Sequence, residues 1–195
     1  MLLEDLINNF EELKKYIYLI DRGNNKTILL KFKNGNFFHL VGLHKTNIDM
    51  FIPHYISSKQ EKYKYLKKNL KKFNNILLSE INDNEILNYR IKKFYLIADL
   101  LKNENTQLFN LKQKIPKSLY NGDYGLLKVY NNDLRCLLGM ITDIEDDNII
   151  KCAPQSWMVS TRDNHLTSCR MPIYMKNIRC IPIEKYDEKN NLIYI

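Results

Sequence analysis

The chain has 195 residues, a formal net charge of +8 and a 45% hydrophobic fraction, which suits one domain with a sizeable core and a polyanionic partner. No stretch approaches the roughly 20 apolar residues that span a bilayer, and Glu4 and Asp5 stand where a secretory leader needs cations, so a soluble, cytoplasmic protein is expected. The four cysteines, Cys136, Cys152, Cys169 and Cys180, form no C-x-x-C pair, and His165 with Cys169 is half a metal motif at most, so no metal, cofactor or disulfide is expected.

In chain order, Leu6, Phe10, Leu13, Ile17 and Ile20 predict an amphipathic helix from Leu2 to Ile20, ended by Arg22-Gly23-Asn24-Asn25. Thr27 to Lys33 alternates as a half-buried strand, and Asn34-Gly35 is a hairpin signal. The segment after it is either the return strand or a helix capped by Asn36. Two more helices are expected, Ser58 to about Leu78 and Asn84 to Leu101. Beyond Asn103 strands dominate: Gln107 to Leu111, Gly125 to Tyr130, Leu134 to Ile144, Asn148 to Ala153 and Asn177 to Ile183. Turns at Asn131-Asn132-Asp133 and Glu145-Asp146-Asp147 make the middle three an antiparallel meander. The expected fold is α+β, one domain over 1–195. Residues 1–103 form a mainly helical part with an early hairpin, and 104–195 an antiparallel sheet.

The chemistry concentrates in Asn36 to Lys45, NFFHLVGLHK, which holds two of the four histidines, His39 and His44, beside Lys45 and Gly42. Histidine gives or takes a proton near neutral pH, and a cation beside it steadies a phosphate. Against this stands a plainer account: His39 as a core imidazole with its own partner, and His44 with Lys45 as a solvated loop. The expected second helix is lysine-rich, with Lys64, Lys67, Lys68 and Lys71 as a phosphate-tracking face or merely a solvated one. Aromatic stripes on these helices are read as core.

Four motifs carry a resemblance. Phe37-Phe38-His39-Leu40-Val41-Gly42-Leu43-His44 fits F-x-H-L-x-G-L-H, and Arg90-Ile91-Lys92-Lys93-Phe94 fits R-I-x-x-F. Asp123-Tyr124 opens a sheet, and Pro154-Gln155-Ser156-Trp157 fits P-x-S-[FW]. In this order the chain resembles the phage-type nuclease-like domains of the barnase–EndoU–colicin–RelE (BECR) superfamily, from about Ile28 to Ile183, although Phe38 stands where that family often has proline. The resemblance implies helices packed on an antiparallel sheet and implies RNA cleavage.

The residues that fit such chemistry are His39 or His44 as base and acid, Arg90 and Lys45 against the phosphate, and Ser156 as a hydrogen-bond donor to it. Trp157, the single tryptophan, is either a base-stacking ring or a sheet-face core residue. Asp123 fixes a turn or pairs with Arg90, while Arg162, His165 and Arg170 lie on a late loop. Three readings compete: a phage-derived or toxin-like endoribonuclease that needs no metal; a non-catalytic basic phage protein on the same scaffold that inhibits a host nucleic-acid-based defence, such as an anti-CRISPR; and a purely structural or partner-binding domain. The partner is accordingly RNA or a nucleic-acid-binding host protein. The first function needs His39, His44, Arg90 and Ser156 in one cleft; the second needs only the basic surface.

Overall fold

Leu3, Leu6, Ile7, Phe10 and Leu13 recur at steps of three and four, and this stripe makes helix α1 (Leu2–Lys14) one-sided, with all five buried. The structure is a computed structural model that describes residues 2–23, 25–102, 105–111, 122–146, 148–161 and 171–186. Asn103, Arg162, His165, Cys169 and Arg170 therefore lie outside the described residues. The first helix ends at Lys14 rather than Ile20, because Tyr16-Ile17-Tyr18-Leu19-Ile20 is aromatic and β-branched and buried on both faces, and it forms strand β1 (Tyr16–Asp21). Tyr18 Oη donates to the Leu13 carbonyl at 3.4 Å, occupying one of the acceptors that the helix end leaves open. The first turn is served from afar: the Leu3 N–H donates to Oδ1 of buried Asn74 at 3.1 Å.

β1 turns back into β2 (Thr27–Lys31) through Gly23 and Asn25, both at positive φ. The hairpin thus lies one strand earlier than the Asn34-Gly35 signal. Gly35 does not take the positive φ that a type I′ turn requires. Asn34–Asn36 is instead a 3₁₀ turn closed by Asn36, which accepts the Lys33 N–H at 2.7 Å. It leads into the five-residue helix α2 (Phe37–Val41). The expected long second helix divides at Asn69 into α3 (Lys59–Lys68) and α4 (Leu70–Asn82). Asn69 turns its amide back onto the Tyr65 carbonyl at 2.8 Å, the local competition that makes asparagine a helix breaker. The third expected helix likewise divides into α5 (Glu85–Lys92) and α6 (Leu96–Leu100). No helix of the described residues is long and apolar enough to cross a membrane.

The sheet strands are β3 (Thr106–Asn110), β4 (Tyr124–Val129), β5 (Arg135–Glu145), β6 (Ile149–Ser160), β7 (Met171–Ile173) and β8 (Asn177–Pro182), together with β1 and β2. The fold is α+β, as expected, with β3 to β6 as the antiparallel meander. The sheet is larger than expected, in the order β7-β3-β4-β5-β6-β2-β1-β8, and it is mixed: β2 runs parallel to β6. A parallel neighbour needs a long crossover, and all six helices lie within that connection or before it. In a flat sheet β4 and β1, four spacings apart, would be separated by about 19 Å. Arg22 at the end of β1 nevertheless donates to Tyr124 Oη of β4 at 3.2 Å, so the sheet is strongly curled. Asp123, immediately before β4, ties that strand to β5 instead of closing a turn: its carboxylate accepts the Thr142 N–H at 2.8 Å.

The helices cover one face of the sheet with a single core. Its densest part is aromatic: the Phe37 ring lies 5.2 Å from Phe10, 5.0 Å from Tyr63 and 6.5 Å from Phe94, all edge-on. On the other face are two smaller apolar clusters, one around Leu137 and one around Leu29. At the rim of the aromatic cluster Glu11 accepts from Tyr63 Oη at 2.6 Å, Lys14 at 2.9 Å and Lys67 at 3.2 Å. Burial pushes the Glu11 carboxyl up, but these bonds outweigh it and hold the pKa at about 2. The unfolded chain therefore takes up the proton first. Stability from this group is present above about pH 4.5 and lost as pH falls toward about 2. A pH series of denaturant melts is expected to show that loss in the native chain and a smaller one in Glu11→Gln.

Candidate functional site

The two histidines meet because α2 is cut short by Gly42. That glycine sits at φ +90°, and its N–H donates to the Phe38 carbonyl at 3.1 Å, an αL ending that reverses the chain. The following 3₁₀ turn, Leu43–Lys45, brings His44 back beside His39 with the ring centroids 4.7 Å apart. Phe37, Phe38, Leu40 and Val41 are buried, which leaves His39 as the residue of α2 that is only half-buried. The plainer account of His39 as a core imidazole does not hold.

Each imidazole has a defined orientation. The Phe38 carbonyl can only accept, so its 3.3 Å contact with His44 Nδ1 places a proton on Nδ1. The Lys59 ammonium donates to His39 Nε2 at 2.6 Å, so that nitrogen carries the lone pair. Burial, then the Lys59 charge, then His44 push the His39 pKa below the ordinary imidazole value of 6.5. His39 is therefore neutral at physiological pH, and protonation of one ring disfavours protonation of the other.

Lys59 was absent from the sequence-derived site. It is the first residue of α3, where Ser58 caps the helix by accepting the Glu61 N–H at 3.2 Å. A cation at the positive end of a helix opposes the dipole, so local helix energetics do not account for its placement. The Ser58-x-x-Glu61 box was the available signal for the helix start, but nothing in the sequence links it to His39.

Arg90 comes from α5 and reaches over Gly42: a Cβ at that position would stand 2.8 Å from Arg90 Nη1 and 3.2 Å from Leu87 Cδ1. Burial pushes the guanidinium pKa down, and among the described residues no carboxylate offsets it. Asp123, the expected alternative partner, is engaged at Thr142 instead. A half-buried guanidinium with no carboxylate partner among the described residues, two imidazoles and a lysine form one cationic cluster with hydrogen-bond donors for an anion.

The remaining expected residues are elsewhere. Asn36 Nδ2 donates to the Pro154 carbonyl at 3.2 Å, so the first and last motifs do touch. Yet the register of β5 with β6 slips between Gly139 and Met140, leaving Gln155 as an extra residue. Ile150, Cys152 and Trp157 face the helices, whereas Ser156 faces Gly139 with Met158 and Leu137 on the opposite side of the sheet. Ser156 is therefore outside the cleft, and its buried Oγ has no hydrogen-bond partner among the described residues. Trp157 is 0% exposed and presents no face to a base; it is core. Lys64, Lys67, Lys68 and Lys71 are exposed along α3 and the start of α4, with Lys67 paired to Glu11. Lys45 closes the 3₁₀ turn beside His44.

No family model, no curated protein and no solved structure matches this chain.

Gly42 carries two demands at once, a left-handed backbone and room for Arg90. Gly42→Ala is expected to cost about 1–2 kcal/mol in chemical denaturation, the price of an αL position for an L-residue. It also displaces the Arg90 tip, so anion affinity is expected to fall in Gly42→Ala more than in an equally destabilised variant with a change in the β3–β4 half of the core. Isothermal titration with inorganic phosphate or a nucleoside monophosphate measures this.

Proposed function

We propose that the chain is an endoribonuclease that needs no metal, phage-derived or toxin-like, on a BECR-type scaffold. The observation that carries the reading is the adjacent His39–His44 pair, its rings 4.7 Å apart and tilted, with an Arg90 guanidinium that has no carboxylate partner among the described residues. Cleavage of RNA needs a base for the 2′-hydroxyl, an acid for the leaving 5′-oxygen and cations against the pentavalent phosphorus. His39 is neutral and supplies the base. Entry of a phosphate draws the Lys59 ammonium from Nε2 to a phosphate oxygen, freeing the lone pair. His44, held at Nδ1 by the Phe38 carbonyl, carries the proton that the pair shares and delivers it from Nε2. Arg90 and Lys59 hold the non-bridging oxygens, Arg90 with two parallel donors. The 2′-oxygen attacks phosphorus, the 5′-oxygen leaves protonated, and the product is a 2′,3′-cyclic phosphate.

A second reading has its own support. Lys59 holds His39 Nε2, and Ser156 is on the far face of the sheet, so the cluster is also consistent with a non-catalytic anion-binding surface. In that reading the chain is a basic phage protein that blocks a host nucleic-acid-based defence, such as an anti-CRISPR.

Cleavage of a labelled single-stranded RNA panel separates the two. His39→Ala and Arg90→Gln are each expected to lower the rate on the order of a hundred-fold or more, with melting temperature little changed because neither head group is in the core. Loss of binding without any cleavage by the native protein supports the inhibitor reading instead.

A further inference from the structure

The loop that leaves the histidine pair exposes large apolar side chains without being loosely attached. Met50 is 74% exposed, Phe51 47% and Tyr55 83%. On either side of Met50 and Phe51, Ile48 and Ile52 are buried. Thr46 Oγ1 donates to the Leu43 carbonyl at 2.7 Å and accepts the Ile48 N–H at 3.3 Å. The Asn47 N–H donates to Glu80 at 3.1 Å, and the Ile56 N–H to the Pro53 carbonyl at 2.9 Å. Lys62 Nζ bonds both oxygens of Asp49 at 2.8 Å.

Lys62 lies one turn after Lys59 on α3, and residues three apart share a helix face. One face of α3 therefore holds His39 through Lys59 and this loop through Lys62. The lysine pairing neutralises Asp49, the acidic residue of the loop. Glu80 is likewise held by the Asn47 N–H, and the α3 face that anchors the loop also carries Lys59 to the histidine pair.

We propose that Phe51 and Tyr55 are the base-stacking platform of a single-stranded nucleic-acid groove whose phosphates run to the His39–His44–Arg90 cluster. The assignment rests on the endoribonuclease reading for its polarity and extends it by naming an unpaired strand as the substrate. Rigid aromatic rings presented to solvent next to fixed cations are the two components of sequence-tolerant single-strand recognition. The expected ring, Trp157, is buried; these two take its place.

The test uses the full chain and a short single-stranded DNA carrying 2-aminopurine, which lacks the 2′-hydroxyl and cannot be cleaved. Stacking on an aromatic ring quenches its fluorescence. Native protein is expected to bind it with quenching. Phe51→Ser with Tyr55→Ser is expected to weaken binding about ten-fold or more and to abolish the quenching. Both positions are outside the core, so circular dichroism and melting temperature are expected to be unchanged. Binding without quenching, equal binding by the double variant, or equal use of duplex DNA each overturns the proposal. So does failure to bind any nucleic acid at low salt, which leaves the loop to a protein partner. Quenching that depends on Phe51 and Tyr55, with RNA left intact, upholds the platform and rejects the nuclease reading. RNA cleavage undiminished in the double variant does the reverse.

Discussion

Everything at the site depends on the burial of Phe37. A helix of five residues has no stability of its own, since nucleation consumes more than so few hydrogen bonds return. α2 exists because the Phe37 ring is held edge-on by Phe10, Tyr63 and Phe94, from α1, α3 and the turn between α5 and α6. With Phe37, Phe38, Leu40 and Val41 directed inward, His39 has only the outer face left. Gly42 then sets the return of the chain, and so sets where His44 and Arg90 arrive. The chemistry is thus a consequence of aromatic packing two residues away from it.

The charges at the cluster are of one sign. Lys59 stands at the wrong end of its helix, and among the described residues no carboxylate offsets the charge of Arg90. Both placements work against local stability, and the fold tolerates them where a bound anion would compensate them. Elsewhere the same chain pairs its charges in the ordinary way: Glu11 gathers Lys14, Lys67 and Tyr63, Asp49 takes Lys62, and Asp99 takes Lys128.

The α1 stripe and the β4–β6 meander were legible in the sequence, because each is set by local periodicity and by turn-forming residues between the strands. The segment NFFHLVGLHK was legible as chemistry but not as geometry. Its Asn34-Gly35 prelude looked like a hairpin, and only contact between Asn36 and Pro154, far along the chain, made it a 3₁₀ turn. β1 was absorbed into a helix because its apolar residues fit both periods, and burial on both faces removed the alternation that marks a strand. The break at Asn69 had a signal, an asparagine inside a helical stripe, but that residue type does not by itself stop a helix. Ser156 shows the deepest limit. Alternation from Cys152 and Pro154 places it on the helix face, and one bulged residue, Gln155, turns it to the other side and brings Trp157 inward. The parallel β2–β6 pair, between segments more than a hundred residues apart in the sequence, carried no local mark at all.

The central claim is that His39 and His44 act as one coupled pair that divides base from acid. Proton NMR of the imidazole C–H resonances across pH, with each histidine assigned by its Ala variant, tests it most directly. The account predicts that His39 titrates below its ordinary 6.5, that its curve changes when His44 is replaced, and that a nucleoside monophosphate shifts both resonances. Two independent titrations near the ordinary value, unmoved by the nucleotide and by each other's replacement, would contradict it.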